Sequence, residues 1–481
     1  MDLSSLNLKQ YIGGKWVPAL NGKNWNVINP ATEETITTVP YGDGRDCEAA
    51  IASAVKGFKV WSKLNPFERS GILKRAAAIM HERLEQYATL TVMESGKPLA
   101  EAIGEWRVAA NFFEWYAEEG KRNYGTVIPA ARNNKRMSVI HQPIGVVGAI
   151  TAWNFPSYNP ARCWSAALGA GCSVVAKASE YTPITAMLMI QCLHDAGIPE
   201  GVINLINGIP AEVGNSMLEN PAVRKISFTG STRVGKILMD GASRTHTRLS
   251  LELGGNAPVI IFPDVNVEQV ANESVVAKLR NAGQVCIAPQ RYLVHADIAD
   301  KFLEAASNRM KSVQLGNGLN PKTEMGPMIN QSQHNGLSNL LNASVKSGAE
   351  IVYGGNTKPL EQGFFFEPTL IKNQQLDNPI FQKEIFGPIM PVTTFNNLDE
   401  AISLANATQY GLAAYIWTND LKTATLTSEQ VEFGLVGINE WYPQALEAPF
   451  GGWKQSGLGY ECGSDGLAEY QEKKLISTGG L

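Results

Sequence analysis

Apolar positions recur at three- and four-residue spacing between Glu48 and Gly120, in AAIASAVKGFKVWSKL and in RSGILKRAAAIMHERLEQYATLTVMESG. That period predicts amphipathic helices. From Ile144 the rhythm changes. The runs IGVVGAI, SVVAK, GVINLI and VRKISFTG are short and continuously apolar, and each is followed by a stretch of helical period, the last beginning at Thr232. Strands that alternate with helices in this way, without polar alternation of their own, predict a parallel sheet covered on both faces by crossover helices. A second set follows: PVIIF, QRYLVHA, EIVYGG, IMPVTTF and LAAYIWT read as strands, and IADKFLEAASNRMKSV as one of the helices between them. The fold class is therefore α/β. Two segments stand outside the alternation. VIPAARNNKRMSVIHQP reads as a polar two-stranded excursion and EYQEKKLIST as a lone strand. Neither has an obvious local partner, and an unpaired edge invites another subunit.

Length and composition narrow the picture only a little. At roughly 150 residues per unit, the chain's 481 residues suit about three domain-sized units. A net charge of −4 argues against a nucleic-acid partner, which selects for basic excess. No apolar run reaches the roughly 18 residues of a membrane span, and MDLSSLNLKQYIGGKW has the form of neither signal peptide nor anchor. A cytoplasmic location is the expectation. The six cysteines are scattered, with no C-x-x-C and no histidine at ligand spacing, so neither a zinc site nor a disulfide framework is expected.

Gly230–Lys236, GSTRVGK, imitates the phosphate loop of nucleoside triphosphatases, but that loop continues with Ser or Thr for magnesium and here residue 237 is Ile. What survives is a glycine followed by a helix start near Ser231, where unpaired N–H groups suit an anion such as a dinucleotide pyrophosphate. The G-x-G-x-x-G form of such a site is absent after every predicted strand.

Three segments carry candidate chemistry: TAWNFP, which puts Asn154 at a strand's C-terminal edge, LELGGNAP with Glu252, and RNAGQVCIAPQR with Cys286. Read singly, Asn154 could be a turn residue, Glu252 a surface ion-pair partner and Cys286 inert packing. Together with IGGKWV, NPATEE, FTGSTRVGK, KEIFGP and PFGGWKQSG, in that order over nearly the whole chain, they resemble the aldehyde dehydrogenase superfamily.

The resemblance implies a Rossmann-like cofactor domain (1–122 and 143–254), an α/β catalytic domain (255–455) and a small β oligomerisation segment (123–142 and 456–481), in a homodimer or homotetramer. It implies that Cys286 attacks an aldehyde carbon, that Asn154 and the Cys286 N–H hold the oxyanion, and that Glu252 activates the water that hydrolyses the thioester. Cofactor contacts fall on Trp153, Asn154, Lys177, Glu180, Gly230, Ser231, Leu253, Glu384 and Phe386. Glu180 would accept from both ribose hydroxyls and repel a 2′-phosphate, which favours NAD over NADP. Glu461 resembles a second family glutamate linked to proton relay; a solvated helix charge is the alternative.

Arg280 lies six residues before Cys286, and Arg162 eight after Asn154. Arginines at both positions resemble those that clasp the distal carboxylate in succinate semialdehyde dehydrogenases. Each charge-assisted bond would contribute about 1.5–3 kcal/mol, although two structural ion pairs would use the same residues. Succinate-specific relatives carry Ser near Ala445, whereas NAGQVCIAPQRYLVH looks more like 2-ketoglutarate semialdehyde dehydrogenases. Either acid aldehyde is therefore expected, with uncharged aldehydes as the alternative. Residue 288 is Ala, so the second cysteine that some relatives oxidise against the nucleophile is missing.

Overall fold

The computed structural model describes residue 3 and residues 6–480. Two open sheets form the framework. The first has eight strands, ordered Lys15–Val17, Gln10–Ile12, Ile203–Ile206, Ser173–Lys177, Val146–Ile150, Val223–Thr229, Arg248–Glu252 and Gly457–Leu458. Its five central strands are parallel, as the apolar runs predict. Their chain order runs outward in one direction from Val146–Ile150 and in the other from Val223–Thr229. The crevice between those two strands is the switch point at which open α/β sheets take ligands, just beyond the strands' C-terminal ends. Trp153 and Asn154 follow one of the two strands; Gly230 and Ser231 follow the other.

The second sheet has seven strands: Glu350–Tyr353, Thr369–Lys372, Ile389–Phe395, Pro289–His295, Ala257–Ile261, Ala413–Trp417 and Leu435–Ile438. All the pairings are parallel except the first, which is antiparallel. Thr369–Lys372 and Leu435–Ile438 escape a pattern reading because four residues are too few to display a period.

The early helical run divides in a way its periodicity does not reveal. Pro66–Glu82 ends at Arg83, which leaves the helical region at φ −96°, ψ 11°, and Leu84–Ser95 starts anew. Arg83 there meets Asp195 at 2.6 Å and donates to the Tyr87 hydroxyl. Tertiary partners thus break a run that local spacing would continue.

The two segments without local partners are partners of each other. Gln471–Gly479 pairs antiparallel with Lys135–Pro143 along its whole length, and Thr126–Ile128 lies on the far side. The expected boundary at 456 moves, because Gly457–Leu458 pairs with Leu251 and Glu252 in the first sheet and only the last strand joins the small one. No helix among the described residues is long and apolar enough to cross a membrane.

Candidate active site

Asn154, Glu252 and Cys286, far apart in sequence, line a single cleft of about 620 Å³ together with Trp153, Gly230, Ser231, Leu253, Glu384 and Phe386. The first sheet contributes the C-terminal ends of its strands, and the second contributes the loops that enter Pro289–His295 and Ile389–Phe395.

Cys286 owes its place to an unusual backbone. Asn281, Ala282 and Gly283 are consecutive residues in the left-handed region, at φ 47°, 54° and 74°. Non-glycine residues there carry strain that persists only where the surroundings impose it. A side chain at Gly283 would collide with the Gly387 carbonyl at 2.2 Å, and one at Gly255 with the Cys286 carbonyl at 2.4 Å. Main chains from three loops therefore touch at the cysteine. It is partly exposed, whereas the other five are buried. Burial of the thiol pushes it up to about 12, with Arg162 pulling the other way, so the resting group is SH and needs a base to react.

Asn154 is almost wholly buried, with one side-chain N–H donated to the Gln284 carbonyl at 3.1 Å and Oδ1 accepting from Asn159 at 3.2 Å. Its second N–H is left for a ligand. Glu252 ends its strand in the core, and its Oε2 has no hydrogen-bond partner among the described residues. Burial holds this carboxyl well above the usual carboxylate range; Arg162 lowers it and Glu461 raises it. A desolvated, unpartnered carboxyl beside a cysteine has the makings of a general base.

The residues fit a dinucleotide. Ser231 lines the cleft and caps the helix Thr232–Ser243 by accepting from Val234 at 3.4 Å, and a helix N-terminus of this kind suits phosphate. Trp153 and Phe386 meet edge to face at 5.5 Å and form a flat-sided wall. Glu384 accepts from the Gly255 N–H through Oε1 at 3.0 Å, and burial pushes it up to about 7. Lys177 and Glu180 lie outside this lining. They sit at the end of the neighbouring strand Ser173–Lys177, paired with each other at 2.9 Å.

The two arginines separate. Arg280 lines a second cavity of about 700 Å³ with Glu101, Tyr158, Tyr442, Gln444, Ala445 and Leu446 among its walls. Its guanidinium lies between the Phe155 and Tyr442 rings, at 5.1 and 5.5 Å from their centroids. Tyr158 is near enough to both Arg280 and Cys286 to feel their charges. Arg162 is not in that lining. It is buried on the helix Tyr158–Ala170, ion-paired with Glu461 and stacked over Phe450 at 4.6 Å. The expectation of two arginines converging on one cavity is not what the structure presents. Glu461 is likewise no solvated helix charge: it is buried and accepts from the Ser227 hydroxyl at 3.3 Å. Tyr158, Glu101 and Asn281 were not singled out from sequence, since nothing local distinguishes a tyrosine or acid that lines a cavity from one that does not.

This geometry has counterparts in known proteins. Residues 16–476 match the model of the aldehyde dehydrogenase family, and the chain belongs to that family. A mitochondrial succinate-semialdehyde dehydrogenase of Oryza sativa subsp. japonica is 44% identical over 99% of this chain and 90% of its own length. A glutarate-semialdehyde dehydrogenase of Pseudomonas putida is 40% identical over 99% of this chain and 98% of its own. Among solved structures, betaine aldehyde dehydrogenase of Staphylococcus aureus in complex with NAD+ superposes with a TM-score of 0.97 at 37% identity, covering 99% of this chain and 95% of that one. The protein is an oxidoreductase of the aldehyde dehydrogenase type that uses a nicotinamide cofactor.

Proposed function

We propose that this enzyme oxidises a carboxylate-bearing aldehyde, succinate semialdehyde or 2-ketoglutarate semialdehyde, with NAD preferred over NADP. One observation carries the reading. Arg280 stands in a cavity that shares Tyr158 with the surroundings of Cys286, over two aromatic rings; Glu101 in the same wall acts on it without reaching salt-bridge distance, so its guanidinium forms no salt bridge among the described residues. An arginine oriented in this way and lacking a bidentate acceptor is suited to a carboxylate. The names of the rice and Pseudomonas relatives support the class, since both substrates are acid aldehydes. Glutarate semialdehyde also has the five-carbon length of the keto acid.

In the mechanism, Arg280 binds the distal carboxylate and aims the aldehyde at Cys286. Cys286 passes its proton to the Glu252 carboxylate, which releases it to solvent, and sulfur bonds to the carbonyl carbon as the C=O π bond becomes an oxyanion. The Asn154 amide and the Cys286 N–H stabilise that oxyanion. The chemistry a nicotinamide dinucleotide would supply here is acceptance of the hydride from this carbon, which would leave Cys286 as a thioester. Glu252 then takes a proton from water, the hydroxide displaces sulfur, and the acid leaves with the thiol restored. The helix start at Ser231 would hold the pyrophosphate, Trp153, Leu253 and Phe386 the nicotinamide, Glu384 one ribose, and Lys177 with Glu180 the other. A carboxylate at Glu180 disfavours a 2′-phosphate. The exposed Val127, Leu475 and Ile476 of the small sheet suit contact with a second subunit.

The test is a panel of aldehydes with NAD and with NADP, in the absence of phosphate and coenzyme A. NADH should form, with the highest kcat/KM for an acid semialdehyde. Preference for butanal or benzaldehyde would reject the substrate, and a requirement for phosphate or coenzyme A would reject hydrolysis by Glu252.

A further inference from the structure

The loop that carries Asn154 is held from behind by a buried ion pair, one member of which, Glu105, also borders the Arg280 cavity. Lys97 and Glu105 have side chains 0% and 2% exposed and pair with each other. Lys97 follows the left-handed Gly96 that ends the helix Leu84–Ser95, and Glu105 lies two turns on, in the helix Leu99–Glu119. Taking two charges out of water costs several kcal/mol each, and apolar residues of equal volume often serve stability as well. The retention of this pair therefore calls for a directional use.

Its hydrogen bonds show where that direction lies. Lys97 Nζ donates to the Asn154 main-chain carbonyl at 2.8 Å and lies 4.4 Å from the Phe155 ring centre. Glu105 Oε1 accepts from the Ser157 N–H at 2.7 Å, the Ser157 hydroxyl at 2.8 Å and the Tyr158 N–H at 3.1 Å. Ser157 makes no side-chain cap for the helix Tyr158–Ala170, so Glu105 supplies that cap from another helix. Residues 154–158 are thus gripped at both ends by one ion pair. Asn281, from the cysteine loop, donates to the same Asn154 carbonyl at 3.0 Å. The carbonyl that Lys97 grips belongs to the residue whose amide is read as the oxyanion donor.

We propose that Lys97 and Glu105 are positioning residues, a buried clamp that fixes the Asn154 main chain so that its side-chain amide meets the oxyanion while the cysteine loop is held in register. This rests on the reading of Asn154 as the oxyanion donor. A displacement of about 1 Å in such a group costs on the order of a hundredfold in rate.

The experiment is a double-mutant cycle on the rate constant of the NADH burst, with NAD affinity measured in parallel. Lys97→Met should slow the burst about ten- to a hundredfold while the NAD Kd changes less than about threefold. In an Asn154→Ala background the same substitution should cost less than about threefold more, because its effect passes through that amide. Lys97→Arg should restore part of the rate. Losses that multiply in the double variant, or a burst in Lys97→Met within about threefold of the parent, would overturn the clamp while leaving the oxyanion role of Asn154 standing. A normal burst in Asn154→Ala would reject the oxyanion reading and the clamp with it. Should Lys97→Met fail to fold, Glu105→Gln carries the same cycle with nearly unchanged volume; there too, non-additivity with Asn154→Ala supports the clamp and additivity overturns it.

Discussion

Arg162 and Arg280 both lie close to Tyr158 and have opposite surroundings. Arg162 is buried, neutralised by Glu461 and packed on Phe450. Arg280 is half-buried in a cavity, faces two aromatic rings and has no carboxylate within salt-bridge distance among the described residues. A buried guanidinium with its own acid is already satisfied, so its influence reaches the site as a field on Glu252 and Cys286. One with open donors in a cavity can take a ligand. Residue type and spacing make the two arginines look alike; only the partner distinguishes them.

Experiments that break the comparison range from total loss to modest shifts. Cys286→Ala sets the floor: dehydrogenase activity should vanish with every aldehyde while NAD binding, followed by protein fluorescence, persists. Residual turnover above trace would contradict the nucleophile. Arg162→Ala strands Glu461 in the core, and breaking such a pair costs about 3–5 kcal/mol. Thermal and urea denaturation should register that loss, and acid and neutral aldehydes should suffer alike. A stable Arg162→Ala enzyme impaired only on the acid substrate would return Arg162 to the role of carboxylate ligand.

Glu252→Gln should slow hydrolysis more than acylation, giving a burst of about one NADH per site and then a slow phase; a missing burst would place its main role at the earlier step. The pH dependence has a definite sign. Glu252 works as a base only when deprotonated, and burial holds its pKa above the usual range. Hydrolysis should therefore accelerate as pH rises through that raised value. Arg162 lowers it, so Arg162→Gln should move the rising limb to higher pH, and an unmoved limb would remove Arg162 from the electrostatics of the site. The smallest effect concerns Glu384, near 7. If its carboxylate accepts from a ribose, NAD affinity should weaken a fewfold as pH falls from 8 to 6, and Glu384→Gln should flatten the change.

The parts of the molecule visible in sequence are those whose signal is local. The apolar runs that became Val146–Ile150, Ser173–Lys177 and Pro289–His295 carry their burial in their composition. Asn154, Glu252 and Cys286 stand in segments whose order along the chain is itself informative. Partner choice is not local. Nothing near Gln471 indicates that its strand closes on Lys135–Pro143, some 330 residues earlier, and nothing near Arg162 names Glu461. Nothing near Lys97 or Glu105 signals their pairing, and only the fold carries them under the Asn154 loop.

The central claim, that Arg280 selects an acid aldehyde, is tested most directly by one ratio: kcat/KM for succinate or 2-ketoglutarate semialdehyde divided by that for butanal, in the parent enzyme and in Arg280→Ala. A charge-assisted bond of about 1.5–3 kcal/mol predicts that the substitution lowers the ratio about ten- to a hundredfold or somewhat more, almost wholly through the acid substrate, with butanal changed by less than about threefold. Arg280→Lys should recover only part, since an ammonium cannot match the bidentate fork. An unchanged ratio, with both substrates losing efficiency together, would mean that Arg280 is structural and that carboxylate selection, if present, lies elsewhere.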